Sequence, residues 1–208
     1  MPKIVSFINQ KGGAGKSTLA VNLLCAFRLS LSSDGLKVVL VDADPQGTAL
    51  SWKAKNDDPD LLVLGMQSKG LIKQAVSLSF DLVLIDTKGS FDEVIGETVA
   101  VSDIVLIPVR PSAPDFWAAE PVVDLIKMRQ SVNPSLKAAF VITQDKPNTL
   151  LSKEIDLALK QFGFPVFYGT SELEVYKQTM ATGDSVMNSK NAKARDEINA
   201  LVESIFEL

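Results

Sequence analysis

The sequence has no histidine and a single cysteine, Cys25. Without histidine there is no Ser–His–Asp hydrolysis, no imidazole general base and no His-ligated zinc within the chain. One thiol allows no intrachain disulfide and cannot hold a metal or iron–sulfur cluster within one subunit. Cys25 lies in an apolar helical pattern and reads as a buried structural residue. No apolar run approaches the ~20 residues of a membrane span. The opening "MPKIVSF" enters a strand at once and lacks the basic and apolar regions of a secretory leader, so a cytoplasmic protein is expected. Excess positive charge is also missing: the formal net charge is −4, and any nucleic-acid contact must come from a local basic patch.

What remains is an ordinary globular composition, 46% apolar and 22% charged over 208 residues. One domain, residues 1–208, is expected to bury a substantial core. Strand-length apolar runs fall at Lys3–Ile8, Lys37–Val41, Leu61–Leu64, Asp81–Ile85, Ile104–Val109, Leu136–Ile142 and Val166–Tyr168. Several are nearly unbroken Val/Ile/Leu, the pattern of strands buried on both faces of a parallel sheet. Helical periodicity is read between them at about 17–31, 46–55, 69–78, 92–100, 115–130, 149–162, 172–181 and 190–206. This alternation predicts a doubly wound α/β fold, a mostly parallel sheet flanked by helices. Sites in such sheets gather at the carboxyl ends of strands.

The first strand runs into "NQKGGAGKST" and then a helix. Gly12, Gly13 and Gly15 let backbone N–H groups around Ala14 converge on an anion, and the helix adds its positive N-terminal dipole. In this pattern Lys16 reaches the β- and γ-phosphates of a nucleotide, Ser17 ligates Mg²⁺ and Thr18 adds a phosphate contact. The bland alternative is a Gly-rich turn capped by Ser/Thr. The second strand ends "VVLVDADPQGT", where Asp42 and Asp44 flank one residue and would share a side of a strand. These suit a metal or water near a triphosphate, or a turn with a capping Asp. The fourth strand, "DLVLIDTKG", ends in Asp86, a carboxylate placed to hold Mg²⁺ through water.

The common phosphate loop needs glycine where this chain has Gln10, and "KGGAGKST" carries an additional lysine, Lys11. That variant resembles the deviant Walker A motif of the ParA/MinD family of P-loop ATPases. "DADPQ" is similar to the family's first switch, "LVLID" to its Walker B strand, and "PVRPSAPD" to the passage of its partition members. The motif resemblance spans residues 3 to about 145, and "VYKQTMATGDSVM" with the final helix matches in outline. It implies an ATP- and Mg²⁺-dependent ATPase of slow intrinsic turnover. Lys11 is then the signature lysine offered to a partner's nucleotide, Lys16 the phosphate lysine, and Asp44 the residue that positions the attacking water. Ser17 and Asp86 serve the metal, with Asp42 in its outer shell. The resemblance places Pro108 and Pro111 near the base or the dimer contact; Asp115 there also reads as a cap of the next helix. Thr143 and Gln144, ending the sixth strand, are further base candidates. Lys88 departs from the family's small residue or proline, either as a solvated loop charge or as a modifier of the second switch.

Within the family, iron–sulfur members need cysteines absent here. The end "RDEINALVESIFEL" is acidic, unlike a basic membrane-targeting helix. The resemblance therefore implies a plasmid or chromosome partition ATPase without an N-terminal helix-turn-helix domain. It would form an ATP-bound homodimer, with higher-order assembly open, bind DNA non-specifically on the nucleoid, and respond to a centromere-bound partner protein. Lys177, Lys190, Lys193 and Arg195 form the candidate DNA patch, against the alternative of a solvated helix start. If residues 190–206 are helical, Lys190 and Lys193 share a face. Positioning of another cellular cargo, or a metabolic ligase on the same fold, are the competing functions.

Overall fold

The computed structural model describes residues 1–208 apart from 32–34, 69, 71, 91 and 92. Its centre is a seven-stranded sheet in which all described pairings are parallel. The strands are β1 (Lys3–Phe7), β2 (Val38–Asp42), β3 (Val63–Gly65), β4 (Leu82–Asp86), β5 (Ile104–Val109), β6 (Lys137–Ile142) and β7 (Val166–Tyr168). Their order across the sheet is β3-β2-β4-β1-β5-β6-β7. The helices are α1 (Lys16–Leu31), α2 (Thr48–Lys53), α3 (Glu93–Val101), α4 (Ala113–Gln130), α5 (Leu150–Lys160), α6 (Glu174–Thr182) and α7 (Ala192–Phe206).

Alternation along each strand sends side chains to both faces, and both are covered. Val38 and Leu40 of β2 join Phe7, Leu84 and Leu106 in a core roofed by α1 and α7. Val39 and Val41 join Ile4, Val83 and Ile85 on the opposite face. On that same side Ile107, Phe140 and Ile142 pack beneath Val122, Val123 and Ile126 of α4 and Ile155 and Leu159 of α5. This double burial is the reason that the strands are legible as unbroken apolar runs.

Several boundaries differ from the sequence expectation. β2 ends at Asp42, so Asp44 lies in the following turn rather than on the strand. The expected helix over 46–55 shrinks to α2, because Gly47 takes a left-handed φ of 63° at its start. The segment expected at 69–78 is a 3₁₀ helix at Ile72–Ser77; positions 69 and 71 lie outside the described residues, as does 92 of the helix expected at 92–100. Lys190 is not part of α7, which is capped by the Asn191 side chain accepting from Ala194 N–H, so Lys190 and Lys193 do not share a helical face.

β1 sits between β4 and β5, so the connections after β1 and after β4 leave toward opposite ends of the sheet. The carboxyl ends of β1, β2, β4 and β5 meet at this switch point, where an open α/β sheet forms its crevice.

Candidate active site

The loop between β1 and α1 is shaped by two glycines with left-handed backbone, Gly13 (φ 76°) and Gly15 (φ 89°). A side chain at either would strain the turn that aims the amides inward. The loop is anchored from below. Asn9 is fully buried; its Nδ2 donates to the Pro108 carbonyl at 2.6 Å and its Oδ1 accepts from Lys11 N–H at 2.8 Å. Thr143 Oγ1 donates to the Ala14 carbonyl at 2.8 Å. Gln144 Nε2 donates to the Gly13 carbonyl at 2.9 Å.

Lys16 opens α1 and is buried, its Nζ donating at 3.1 Å to the carbonyls of both Asn9 and Lys11. Burial lowers its pKa, while the charges of Asp86 and Asp44 oppose that shift. Asp86 ends β4, directly in register with Phe7 of β1 and Asp42 of β2. It is fully buried, and among the described residues neither carboxylate oxygen has a hydrogen-bond partner. Burial pushes its pKa up to about 7; neighbouring Ser17, short of a well-formed hydrogen bond, and Lys16 pull the other way. An orphaned buried carboxylate beside a phosphate loop is an anion in want of a cation.

Asp42 is equally buried but well served. Its Oδ1 accepts from Asp44 N–H at 3.1 Å and its Oδ2 from Leu50 N–H at 3.0 Å. It therefore caps the short α2, whose own cap position, Gly47, has no side chain to do so. Asp44 is partly exposed, and its Oδ1 accepts from Gln46 N–H at 2.9 Å.

Lys11 extends to Asp115, its Nζ donating to Oδ2 at 2.7 Å. Asp115, in the first turn of α4, is fully buried and also takes Arg110 Nε at 3.0 Å and the Ser112 hydroxyl at 2.5 Å. Burial raises its pKa, but the hydrogen bonds from Arg110, Lys11 and Ser112 outweigh it and hold the group below the usual carboxylate range. Ser112 caps α4 by accepting from Asp115 N–H, so Asp115 is the anchor of two cations rather than the cap itself.

Of the expected base candidates, Pro108 and Thr143 are buried and Pro111 and Gln144 border open space. Pro108 lies inside β5 with its side chain buried, and its carbonyl serves Asn9. Thr143 is fully buried under Gly15. Pro111 lines a different cavity, with Arg110, Ser112 and Lys146. The space that continues from the loop is a cavity of about 240 Å³ beginning at Gly15 and Thr18 and closed by Gln144, Thr170, Leu173 and Tyr176. Lys177, expected in the basic patch, stands at this cavity and pairs with Glu174 at 3.4 Å. Lys193 reaches Glu197 at 3.8 Å, Arg195 donates to the Ser189 carbonyl, and Lys190 is exposed.

Sequence reading missed Asn9, Arg110 and Gly89. Asn9 and Arg110 show no local pattern, because their partners come from β5 and α4. Gly89 follows "DTK" after β4, and a Cβ there would lie 2.8 Å from Gly12 N, so the loop can approach only a glycine.

The family model described as "CobQ/CobB/MinD/ParA nucleotide binding domain" matches residues 5–188. "Maintenance of carboxysome distribution protein A" of Halothiobacillus neapolitanus is 31% identical over 207 residues, covering 95% of this chain and 94% of that protein. The chromosome-partitioning ATPase Soj of Thermus thermophilus is 27% identical over 202 residues, 79% of this chain and 78% of that one. The crystal structure of a Borrelia burgdorferi plasmid partition protein bound to AMPPNP superposes with a TM-score of 0.76 at 23% identity, covering 100% of both chains, a likeness of fold.

Proposed function

The chain belongs to the CobQ/CobB/MinD/ParA nucleotide-binding domain family, and from that premise we propose that it is a Mg²⁺-dependent ATPase that dimerises around ATP and holds a cargo on DNA. The observation that carries this reading is the convergence of Lys16, the orphaned Asp86 and the second loop lysine, Lys11, at one end of the sheet.

In this reading the loop amides and Lys16 bind the β- and γ-phosphates. Asp86 and Ser17 would hold Mg²⁺, and the unpartnered oxygens of Asp86 fit that task. Asp42, with both oxygens engaged by backbone N–H groups, is left an outer-layer role. The ion, when bound, neutralises charge on the phosphate oxygens. Asp44 orients the attacking water: its oxygen bonds to the γ-phosphorus, the bond to the ADP oxygen breaks, and the water's proton leaves toward Asp44 and solvent. Lys11 is the cation offered to the partner subunit's nucleotide. Slow turnover then waits on a stimulating partner protein, as in switches completed in trans. Lys177, Lys190, Lys193 and Arg195 are the DNA-facing candidates, and non-specific phosphate contacts give a salt slope of about −0.9 per phosphate neutralised.

Two cargoes are supported by different relatives. Similarity to the chromosome-partitioning ATPase Soj supports DNA segregation, for which a centromere-bound partner is the proposed stimulator. The 31% identity across nearly the whole length of a carboxysome-distribution protein supports a protein compartment as cargo. The test is light scattering and DNA retention at low salt with ATP, ADP and no nucleotide, for the wild type and Asp44→Ala. ATP-dependent dimers that retain DNA, trapped by Asp44→Ala, are expected. A protein that stays monomeric with ATP overturns the reading. Stimulation of turnover by a centromere-bound protein or by a compartment adaptor then decides the cargo.

A further inference from the structure

Moving away from Lys16, the cavity at Gly15 and Thr18 is walled by a loop, the stretch 169–173 between β7 and α6, together with Tyr176. The backbone of this stretch is tied to the end of β6 by a parallel bridge between Asp145 and Ser171, with Gly169 N–H donating to the Ile142 carbonyl and Glu172 N–H to the Asp145 carbonyl, each at 2.8 Å. A second support, reaching its side chains, comes from the last helix. Glu197 of α7 accepts Ser171 N–H at 3.0 Å and the Tyr176 hydroxyl at 2.8 Å on Oε2, and the Ser171 hydroxyl at 2.5 Å on Oε1. Its side chain is 18% exposed, so these are three donors onto one largely buried carboxylate. Charge-assisted bonds of this kind are about twice as strong as neutral ones.

The wall is joined to the phosphate loop by a second set of bonds. Gln144 N–H donates to Thr170 Oγ1 at 3.1 Å, and Gln144 Nε2 reaches the Gly13 carbonyl at 2.9 Å. Asp145 N–H donates to the Thr170 carbonyl at 2.8 Å. Gln144 takes a left-handed φ of 51°, a conformation that persists in a non-glycine residue when its surroundings over-determine it. A chain of contacts thus runs from α7 through Ser171, Thr170 and Gln144 to Gly13.

We propose that Glu197 is a positioning residue for the nucleoside: it sets the shape of the wall facing the base, and with it affinity and base selectivity, without touching the nucleotide. The inference rests on the reading that the triphosphate sits at Lys16, which directs the nucleoside into this cavity.

The test measures binding of ATP, GTP and inorganic tripolyphosphate to the full chain, wild type and Glu197→Gln, well below each protein's melting temperature. Gln keeps the size but turns an N–H toward a donor. ATP affinity is expected to fall about tenfold, the ATP-to-GTP preference to collapse, and tripolyphosphate affinity to stay within about twofold. Tyr176→Phe, which keeps the ring and removes one donor, should shift the same ratios by less, and carries the test if Glu197→Gln does not fold. Glu203→Gln, exposed on the same helix, should change none of them. Equal losses for ATP and tripolyphosphate, or a lower melting temperature with unchanged ratios, would make Glu197 a plain structural strut and overturn the proposal. A wild type that binds ATP no better than tripolyphosphate would remove the nucleoside reading of the cavity, and the proposal with it.

Discussion

Replacing Gly89 by alanine probes the closeness of the strand-4 loop to the phosphate loop. A Cβ at position 89 would lie 2.8 Å from Gly12 N and 3.1 Å from Gly12 Cα and the Lys11 carbonyl carbon. Ordinary contact begins near 3.4 Å, so one backbone must retreat by about 0.6 Å. Neither obstacle is a side chain that can swing aside. Gly89 has no left-handed φ, so the penalty is steric alone. Overpacking by one methyl against backbone costs about 1–3 kcal/mol. Gly12 and Gly13 are exposed, whereas Asp86 and Thr87 are buried, with Thr87 tied to the Phe7 carbonyl at 2.6 Å. Gly89 itself is exposed, so the strain is shared between its own loop and the phosphate loop. Movement of the phosphate loop disturbs the Lys11 carbonyl, which accepts from Lys16 Nζ. At about 1.4 kcal/mol per tenfold, binding of a fluorescent ATP analogue should weaken roughly 5- to 150-fold. If the strain fell on the whole fold instead, melting would drop by about 2–12 °C, at 2–4 °C per kcal/mol for a domain of this size. Titration and thermal melting together separate the two. Nucleotide affinity within twofold of wild type at an unchanged melting temperature would refute the steric argument.

Asp42→Ala leaves the N–H groups of Asp44 and Leu50 without their acceptor and should lower stability by about 1–3 kcal/mol, read as a lower urea midpoint at constant slope. Relief of a buried charge opposes this loss, since burial raises the pKa of Asp42, and a variant as stable as wild type would show that the cap of α2 contributes no more than burial of the carboxylate costs. The two loop lysines should separate cleanly: Lys16→Ala abolishes nucleotide binding, whereas Lys11→Ala retains it and loses dimer-dependent hydrolysis. Isothermal titration and phosphate release check both, and loss of all nucleotide affinity in Lys11→Ala would remove its role in trans.

The sheet was legible because its strands are buried on both faces and so are written in Val, Ile and Leu. Glycines at positions of left-handed backbone made the phosphate loop legible too. Features built from distant pairs were not. Lys11 meets Asp115 across 104 positions, and Asn9 meets Pro108 across 99. Neither pairing leaves a local spacing to read. Pro108 is a related case: it sits inside a parallel strand, and its carbonyl supports the loop through Asn9, a contact that its position along the chain does not announce. Lys190 was placed on a helix by periodicity, but Asn191 ends the approach and starts α7 one residue later. Glu197 looked like one more charge on an acidic helix until the fold brought Ser171 and Tyr176 to it.

The arrangement around Asp115 bears on how a signature lysine can be both held and given up. Under the proposed dimerisation, Lys11 has to exchange Asp115 for a partner's phosphate. A buried carboxylate stripped of its only cation would resist that exchange strongly, since an uncompensated buried charge costs several kcal/mol. Asp115 is not left in that position. Arg110 supplies two further bonds, at 3.0 Å to Oδ1 and 3.2 Å to Oδ2, and Ser112 a third. With Lys11 withdrawn, the carboxylate still keeps one guanidinium and one hydroxyl, so the exchange costs one pairing of a half-exposed ammonium rather than the desolvation of an orphan. A triphosphate, carrying several charges, competes with a single shared carboxylate on favourable terms. Under that proposal Arg110, which the sequence reading passed over, is the residue that would let Lys11 move. Its guanidinium also lies against Gly13, about 3.9 Å from where a Cβ would stand, so the same side chain that compensates Asp115 borders the phosphate loop itself.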